Sequence, residues 1–233
     1  MKRSAVRSAW REDPAFASVP PPIARRRIGR AFAVQSALKR AMDVVAAALL
    51  LLLLSPLLAA VALIVKLSSS GPLFYRWPVV GKNGRYFTGY KFRTMVENAD
   101  RLKEGLIASN QMRGPVFKME RDPRVTPAGR FLRRFSLDEV PQLWSVLKGD
   151  MSLVGPRPPL QEEYERFNAW QRQKLAVKPG ITCLWQVSGR NDISDFDDWV
   201  RLDLEYIRDW SLWLDVTILL RTALAVVSGR GAS

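Results

Sequence analysis

The longest apolar stretch of the chain runs from Val44 to Val65 and contains no charged residue. A straight helix of this length would reach roughly 33 Å, which is enough to cross a bilayer. Ser55 and Pro56 lie at its centre, and a proline inside a helix removes a backbone donor and clashes with the preceding turn. We therefore predict a membrane helix that is broken at Ser55-Pro56, with the Ser55 hydroxyl bonded to the Leu51 carbonyl.

Basic residues flank this apolar stretch on both sides. Because Lys and Arg are enriched on the cytoplasmic side of membrane helices, both ends are expected on that side. A bent, re-entrant helix meets this requirement, whereas an ordinary kinked span is the alternative that the pattern leaves open. The flanking residues are Arg25, Arg26, Arg27, Arg30, Lys39 and Arg40 before the stretch, and Lys66, Arg76, Lys82 and Arg85 after it.

The remainder of the chain has the pattern of a mainly α-helical domain with short β segments. Residues 71–95 place aromatic and β-branched residues between glycines, which indicates short strands and turns. Residues 96–112 resemble a polar helix, and residues 129–149 and 160–176 also have helical spacing, with an interruption at Pro141. The run GITCLWQVS, residues 180–188, is strand-like and leads into a turn.

The last apolar segment, residues 199–227, combines Trp, Leu, Ile and Val with charged residues such as Asp215 and Arg221. These charges argue against a second membrane span. Tryptophans at the margin of an apolar face suit amphipathic helices that lie in the membrane interface. A pair of helices in a soluble core explains the pattern equally well, so both alternatives stay open.

Three regions follow from these patterns. Residues 1–38 form a basic, proline-containing N-terminal arm that we predict to be mostly disordered in isolation. Residues 39–67 form the membrane helix. Residues 68–233 form the domain that carries the chemistry.

Composition limits that chemistry. The chain has 36 Lys+Arg and 22 Asp+Glu, a formal net charge of +14, which favours a polyanionic partner such as nucleic acid, anionic lipid or a phosphorylated substrate. It contains no histidine and a single cysteine, Cys183, so catalysis must rest mainly on carboxylates, Lys, Arg and hydroxyl groups. No nucleotide-binding glycine loop is present, and no nucleic-acid-binding signature accompanies the charge, so nucleic acid is not an expected partner.

The densest candidate site is Asp138-Glu139, which follows Arg130, Arg133 and Arg134. Because Pro141 suits an early helical position, the acid pair is expected near a helix N-terminus, where Asp138 should stay ionised. One carboxylate can attack phosphorus while the other holds Mg²⁺ beside phosphate oxygens. Residues 136–139 also form a capping-box pattern, whose usual role is only to start a helix.

Other candidate substrate-binding residues lie in short segments. Strand alternation places Lys91 and Arg93 on one face, although a solvated strand edge has the same pattern. Arg157 is fixed between two prolines, as it also would be in a purely structural turn. Arg190 and Asn191 belong to a turn whose backbone donors suit a nucleotide or sugar, but such loops are common.

Several of these segments together resemble a known family, the monotopic phosphoglycosyl transferases, or polyprenyl-phosphate hexose-1-phosphate transferases, of bacterial polysaccharide synthesis. The resemblance covers about residues 38 to 230. It rests on Lys39-Arg40 with Asp43, Ser55-Pro56, KFRTM (91–95), DPRVTPAGRFLRRFSLDEVPQLWSVLKGDMSLVGPRP (122–158), KPGITCLWQVSGRN (178–191) and RLDLEYIRDWSLWLD (201–215).

The resemblance implies a function and a location. Asp138 would be the nucleophile and Glu139 the Mg²⁺ ligand, with a covalent aspartyl-phosphosugar intermediate. The donor would be a UDP-sugar and the acceptor undecaprenyl phosphate. The helix broken at Ser55-Pro56 would be re-entrant in the bacterial inner membrane, with the catalytic domain on the cytoplasmic face and in contact with phospholipid. Substrate binding or organisation of the site would involve Lys91, Arg133, Arg157 and Arg190.

Some features depart from the family or stay undetermined. Cys183 stands where the family usually has glycine, and we expect local repacking there. The large multi-helix N-terminal region of longer relatives is not expected in this chain. A membrane-anchored, non-enzymatic binder of polyanions is the rival hypothesis, and a degenerate transferase kept as a scaffold is a third. The sequence leaves open the sugar and whether the chain forms a homo-oligomer.

Overall fold

The computed structural model describes residues 30–188 and 193–229. Within them the protein is mainly α-helical with short strands, as the sequence predicts. The α-helices are α1 (Arg30–Leu53), α2 (Ser55–Ser68), α3 (Ala99–Leu106), α4 (Pro127–Arg134), α5 (Leu143–Lys148), α6 (Gln161–Glu165), α7 (Ala169–Arg172), α8 (Leu184–Val187), α9 (Phe196–Asp209) and α10 (Leu212–Val227). The strands are β1 (Phe74–Val80), β2 (Tyr86–Phe92), β3 (Ser152–Val154) and β4 (Gly180–Thr182). Short 3₁₀-helices cover Lys82–Gly84, Ile107–Ser109, Leu137–Gln142 and Gln173–Ala176.

The first two helices are separated by the predicted break. Helices α1 and α2 are bent by 63° relative to each other. Pro56 has no N–H with which to bond the carbonyl of Leu52, and the Ser55 hydroxyl donates to that carbonyl instead, at 2.8 Å. The predicted bond to Leu51 is therefore wrong by one residue, because Leu52 is the carbonyl that the proline leaves without a donor.

The broken helix pair has the length and apolarity of a membrane element only when its halves are taken together. Among the described residues, no single helix is long and apolar enough to cross a membrane. Both halves present apolar side chains to their surroundings, including Leu53 at the end of α1 and Leu67, which is 79% exposed, at the end of α2. This apolar surface is not covered by the rest of the described chain.

The region boundaries differ slightly from those predicted. Helix α1 begins at Arg30, so the last part of the predicted N-terminal arm, residues 30–38, is helical. Residues 1–29 lie outside the described part of the chain. Helix α2 ends at Ser68, next to the predicted boundary at residue 67.

The base of α1 is fastened to the domain that follows. Arg40 donates to the carbonyls of Val146 and Leu147 at 2.6 and 2.9 Å, which satisfies two of the terminal carbonyls of α5. One turn further along α1, the buried Asp43 accepts a hydrogen bond from the Leu153 N–H of β3 at 3.1 Å. These side chains hold α1 against the segment that leads from α5 through β3.

A buried network of charged and polar groups completes this attachment. The Lys39 ammonium lies 2.6 Å from Asp215 of α10 and donates to the Val154 carbonyl at 3.1 Å. The Tyr206 hydroxyl of α9 donates to Asp215 at 2.7 Å, and Trp210 donates to the same carboxylate at 3.1 Å. The network therefore joins α1, β3, α9 and α10 around one buried carboxylate.

Two small sheets flank the core. Strands β1 and β2 form an antiparallel hairpin in the region predicted to hold strands, with Phe74 opposite Phe92 at one end. Strands β3 and β4 pair in parallel, with Ser152 opposite Gly180. The hairpin turn contains Asn83 with φ of 55°, a left-handed conformation that asparagine tolerates better than most residues.

Two sequence-based assignments are corrected by the structure. The helix predicted over 160–176 is divided, because Asn168 caps a new helix by accepting from the Gln171 N–H at 2.9 Å. The strand-like run at 180–188 pairs only over Gly180–Thr182, and Leu184–Val187 turns into a short helix. In both places the helix or strand ends at an earlier residue than the sequence pattern predicts.

The two C-terminal helices differ in what they bury. Helix α9 places Phe196, Trp199 and Tyr206 in the core. Helix α10 buries Asp215 and Ile218 but exposes a row of apolar side chains. The exposed residues are Trp213 (75%), Leu220 (61%), Leu224 (72%) and Val227 (82%). Helix α9 therefore packs in the core, as one of the two predicted alternatives has it. Helix α10 has the amphipathic surface that the other alternative, an interfacial helix, requires.

We predict that Asp215→Asn will destabilise the fold strongly. The substitution leaves the Lys39 ammonium mostly buried without its carboxylate, and breaking a buried ion pair typically costs about 3 kcal/mol. Urea-induced unfolding of the detergent-solubilised protein measures the loss. Glu162→Gln is the control, because Glu162 meets Lys103 at the surface, where an ion pair contributes little. Equal losses for both variants would contradict the role given to the network.

Candidate active site

The acid pair lies in a tight turn. Asp138 and Glu139 occupy the first turn of the 3₁₀-helix Leu137–Gln142, directly after Ser136, whose φ of 52° is left-handed. The Ser136 side chain makes no capping hydrogen bond, so the capping box suggested by the sequence does not form. Pro141 lies inside this 3₁₀-helix, not early in an α-helix, because α5 begins only at Leu143. The left-handed Ser136 turns the chain at the end of α4 and directs both carboxylates inward.

Three cations from separate elements surround these carboxylates. Lys91, on β2, places its Nζ 2.6 Å from Glu139 Oε1. Arg157, in the loop after β3, has Nη1 3.6 Å from the same oxygen. Arg133, in the last turn of α4, acts on the other carboxylate, because its positive charge favours the ionised form of Asp138. The structure thus brings together five of the residues predicted from sequence.

Burial governs the protonation of the pair. Asp138 is only 6% exposed, and burial raises its pKa, with the neighbouring Glu139 charge acting in the same direction. The charges of Lys91 and Arg133 oppose this rise in pKa. Burial also lowers the pKa of Lys91, against the favourable charge of Glu139. The pair lies outside an α-helical N-terminus, so the predicted contribution of a helix dipole is wrong, and the charges of Lys91 and Arg133 take its place in favouring the ionised form of Asp138.

Arg157 is positioned by a close approach of two backbones. Gly180 lies so near β3 that a Cβ there would come within 2.1 Å of the Gly155 nitrogen. This approach allows Gly155 N–H to bond the Thr182 carbonyl and Gly180 N–H to bond the Pro156 carbonyl, both at 3.0 Å. The loop that carries Arg157 is thus fixed on β4 as well as by the flanking prolines.

Arg93 lines the cavity with the acid pair and is tied to the chain just after α2. Its Nη2 donates to the Ser69 carbonyl, just after α2, at 2.7 Å. Its Nη1 packs against Gly71, where a Cβ would come within 2.4 Å. Arg93 and Lys91 line the same cavity together with Phe92, and the Arg93 guanidinium holds the chain after α2 against β2.

The candidate residues line one cavity of about 470 Å³. Its charged part contains the acid pair and its cations, and its other part is bordered by aromatic rings. The charged lining includes Lys91, Arg93, Arg133, Asp138, Glu139 and Arg157. The aromatic lining includes Phe167, Trp185, Phe196 and Trp199. Arg190 and Asn191, which were also predicted to bind substrate, lie outside the described residues.

The sequence did not single out two features of this cavity. Trp77 lies under Lys91, with Nζ 4.5 Å from the ring centroid, and has Gly89 opposite it in the hairpin. A Cβ at Gly89 would come within 2.1 Å of the Trp77 indole nitrogen. A glycine inside a predicted strand was therefore the sequence signal that could have indicated a large side chain packed against it. At the aromatic end, Lys174 and Asp203 form a fully buried ion pair at 2.6 Å, which spacing alone does not reveal.

Cys183 is part of the aromatic cluster. It is buried, packs in one cluster with Trp185 and Trp199, and donates from Sγ to Gln186 Oε1 at 3.2 Å. Burial raises the pKa of the Cys183 thiol well above its usual range. The thiol therefore acts as a small packing group at the position where the resembled family usually has glycine.

A metal ion would fit this site only with help from a ligand. Among the described residues, no group of three metal-ligating side chains converges. Asp138 and Glu139 nevertheless supply carboxylate oxygens on one cavity wall, and Mg²⁺ is commonly held by one or two carboxylates plus substrate phosphates. The donor set suits Mg²⁺ bound together with a phosphate-bearing molecule.

The family model described as bacterial sugar transferase matches residues 34–229, which include the broken helix and the whole cavity. The chain belongs to the bacterial sugar transferase family. The match covers every described residue of the site.

Individual bacterial sugar transferases are similar to this chain over most of its length. The chain is 50% identical over 176 residues to galactosyl transferase CpsE of Streptococcus agalactiae serotype III (strain NEM316), covering 75% of this chain and 39% of that protein. It is 45% identical over 200 residues to the undecaprenyl-phosphate galactose phosphotransferase of Salmonella typhimurium, covering 84% of this chain and 41% of that protein. The match therefore spans about two fifths of the length of these relatives.

A relative of similar length matches almost throughout. The chain is 43% identical over 198 residues to the exopolysaccharide production protein ExoY of Sinorhizobium fredii, covering 83% of this chain and 87% of that protein. The similarity thus covers most of the length of both chains.

We predict that Asp138→Asn will stabilise this sugar transferase at neutral pH. Because burial raises the pKa of Asp138, the native state binds that proton more tightly than the unfolded chain does. The ionised carboxylate therefore costs stability above the native pKa, and this cost disappears below the unfolded-state pKa. Thermal unfolding of both proteins across acid and neutral pH, without donor, measures the difference.

The expected result is a higher unfolding temperature for Asp138→Asn at neutral pH and a shrinking difference as the pH falls. Glu104→Gln is the control, because Glu104 is exposed on α3. A difference that grows on acidification would show that Asp138 is stabilised as an anion, contrary to the prediction.

Proposed function

We propose that the chain transfers a hexose 1-phosphate from a UDP-sugar to undecaprenyl phosphate, releasing UMP. This would be the first membrane step of a bacterial polysaccharide synthesis. Relatives named as undecaprenyl-phosphate galactose and glucose phosphotransferases, and as exopolysaccharide production proteins, support this assignment. The observation that carries it is the pair Asp138-Glu139, of which Asp138 is buried, in a cavity with three cations from separate elements.

The positive charges around the acid pair explain how the Asp138 carboxylate can react with the diphosphate of a nucleotide sugar, although both are anions. A nucleotide sugar carries a charged diphosphate, and an attacking carboxylate would be repelled by it in water. In the cavity, Lys91, Arg133 and Arg157 supply fixed positive charge that a phosphoryl transition state can use without reorganisation. We propose Glu139 as the ligand of one Mg²⁺ ion, whose charge would further neutralise the donor phosphates.

The first step forms a covalent intermediate. An Asp138 carboxylate oxygen attacks the phosphorus that bears the sugar, and a new O–P bond forms. The bond between that phosphorus and the bridging oxygen of the diphosphate breaks, so UMP leaves with the electron pair. Asp138 is then an acyl phosphate that carries the sugar. No general base is needed, because the attacking group is already an anion.

The second step transfers the phosphosugar to lipid. An oxygen of undecaprenyl phosphate attacks the same phosphorus, the Asp138 O–P bond breaks, and the free carboxylate returns. The two-step route lets one small cavity serve a soluble donor and a membrane-bound acceptor in turn. Arg93 supports this arrangement, because it joins the cavity wall to the residue after α2.

The membrane placement that we propose follows from the helix break and the basic flanks. Helices α1 and α2 would enter the bacterial inner membrane and leave it by the cytoplasmic face as a re-entrant, monotopic element. The 63° bend and the exposed apolar side chains on both halves support this. The apolar row on α10, beginning with Trp213, would lie among phospholipid at the interface. The domain with the cavity would face the cytoplasm.

We predict that donor labelled in the sugar will attach to the protein in the absence of lipid acceptor. The label should be released when undecaprenyl phosphate is added, and UMP should appear in the first phase. Asp138→Asn should reduce labelling by at least about a thousandfold, because the variant has no carboxylate nucleophile. Chelator should suppress labelling and Mg²⁺ should restore it. A panel of UDP-sugars, including UDP-glucose and UDP-galactose, identifies the donor.

The labelling experiment separates the alternatives. A non-enzymatic binder of polyanions would retain the donor but release no UMP. Direct transfer would release UMP only when acceptor is present. Normal turnover by Asp138→Asn would exclude the covalent route, and full activity in excess chelator would exclude the metal.

We predict that the residues before the helix break lie on the cytoplasmic side. Val34→Cys introduces a thiol at an exposed position of α1, and Ile107→Cys does the same in the domain, whereas the native Cys183 is buried. In intact spheroplasts, a membrane-impermeant thiol reagent should label neither variant, and lysis should expose both.

A straightened helix provides the positive control. Replacing Ser55 with Ala and Pro56 with Leu restores a helical donor and removes the ring clash, so Val34→Cys should become reactive from outside. Labelling of Val34→Cys in intact spheroplasts without these changes would contradict the re-entrant arrangement.

A further inference from the structure

We propose that Thr94 is a positioning residue that holds the Arg133 guanidinium by one edge, so that the opposite edge binds phosphate oxygens of the donor. This inference rests on the proposed function and names the part of the site that receives the phosphate. Neither residue 94 nor a link between β2 and α4 was singled out by the sequence patterns.

The contact itself is specific. The Arg133 Nε–H donates to Thr94 Oγ1 at 3.0 Å. Within residues 30–188 and 193–229, the Arg133 guanidinium makes no hydrogen bond other than this one. Thr94 is only 6% exposed, so water does not readily replace its hydroxyl. The Arg133 side chain is therefore fixed at Nε and retains its terminal Nη groups for another partner.

The backbone of Thr94 is itself held in place. Its carbonyl accepts from the Thr126 N–H at 3.0 Å and from the Thr126 hydroxyl at 3.3 Å. Thr126 is the N-cap of α4, and its hydroxyl oxygen accepts from the Gly129 N–H at 2.9 Å. One pair of threonines thus fixes where α4 begins relative to the end of β2.

Gly129 brings the two elements close enough for this contact. A Cβ at Gly129 would come within 2.0 Å of the Thr94 carbonyl oxygen, so a side chain at this position would push α4 away. Arg133 follows Gly129 by one helical turn and therefore lies on the same face of α4. The close approach at Gly129 thus places the Arg133 guanidinium beside the Thr94 hydroxyl.

The geometry assigns different tasks to the two edges of the guanidinium. Arginine binds phosphate best through parallel N–H groups, and this bidentate contact depends on the orientation of the plane. A hydrogen bond at Nε fixes that plane and leaves the Nη1–Nη2 edge available. Asp138, Glu139 and Arg133 line the same cavity, so a phosphate beside the nucleophile lies within the region that this edge can serve.

The test is a double-mutant cycle on the rate of covalent labelling by donor. Thr94→Val keeps the shape of the side chain but removes the hydroxyl, and a small misplacement in an active site can cost roughly tenfold to a hundredfold in rate. Thr94→Ser restores the hydroxyl and should recover most of the rate. Arg133→Lys removes the Nε–H fork, so Thr94→Val should have no further effect in that background.

A matched threonine controls for loss of any hydroxyl. Thr222 is half-buried on α10, away from the cavity lining, and its hydroxyl lies 2.7 Å from that of Thr182. Thr222→Val should leave the labelling rate unchanged. Thermal unfolding of each variant identifies loss of fold, and Thr94→Ala replaces Thr94→Val in the cycle if the valine variant does not fold.

A second readout is independent of turnover. Inorganic pyrophosphate binding, followed by calorimetry on the intact protein, should weaken several-fold in Thr94→Val and not in Thr222→Val. The effect should again vanish in the Arg133→Lys background. This measurement still tests the positioning role if the wild-type protein accepts no UDP-sugar, an outcome that would refute the proposed function alone.

The outcomes are distinct. Equal effects of Thr94→Val in the Arg133 and Arg133→Lys backgrounds would overturn the proposal, because Thr94 would then act on something other than Arg133. Wild-type rates and pyrophosphate affinity in Thr94→Val would also overturn it. Failure of Thr94→Ser to recover either quantity would assign the effect to packing instead of the hydroxyl.

Discussion

The placement of two adjacent carboxylates, one buried and one half-buried, is the constraint on which the rest of the structure depends. Asp138 and Glu139 repel each other in a setting where water screens them poorly, and a buried charge without partners is costly. The compensating cations cannot all come from neighbouring residues, because the turn points both acids inward. They arrive from β2, from the end of α4 and from the loop after β3. Each of these elements is held in place by a separate close contact.

Those contacts connect the cavity to the broken helix pair α1–α2. At the base of α1, side chains form hydrogen bonds to the backbone of α5 and β3; these side chains are Lys39, Arg40 and Asp43. Strand β3 leads directly into the loop that carries Arg157. On the other side of the break, Arg93 ties the residue after α2 to the end of β2. Both halves of the broken helix are therefore bonded to segments that carry site residues. An exposed apolar helix pair and a charged cavity are thus built into one scaffold.

The sequence predicted the parts of the site that depend on local chemistry. The acid pair, Lys91, Arg133 and Arg157 were recognisable because charged residues in short, patterned segments are unusual, and the structure brings them into one cavity. The break at Ser55-Pro56 followed from the missing proline donor. The capping box failed because Ser136 takes a left-handed conformation, which residue type alone does not indicate. Thr94 and the Lys174–Asp203 pair were missed, since each acquires its role from a partner distant in sequence.

The sequence by itself determined the broken apolar helix, the hairpin region, the mainly helical domain and the residue types available for chemistry. These depend on periodicity, on proline geometry and on the absence of histidine, which are local or compositional properties. Tertiary structure alone decided which cations face which carboxylate, that burial raises the pKa of Asp138, and that α10 exposes its apolar row while α9 buries its own. Charge compensation and desolvation depend on distances between segments far apart in the chain, and no spacing along the sequence specifies those distances.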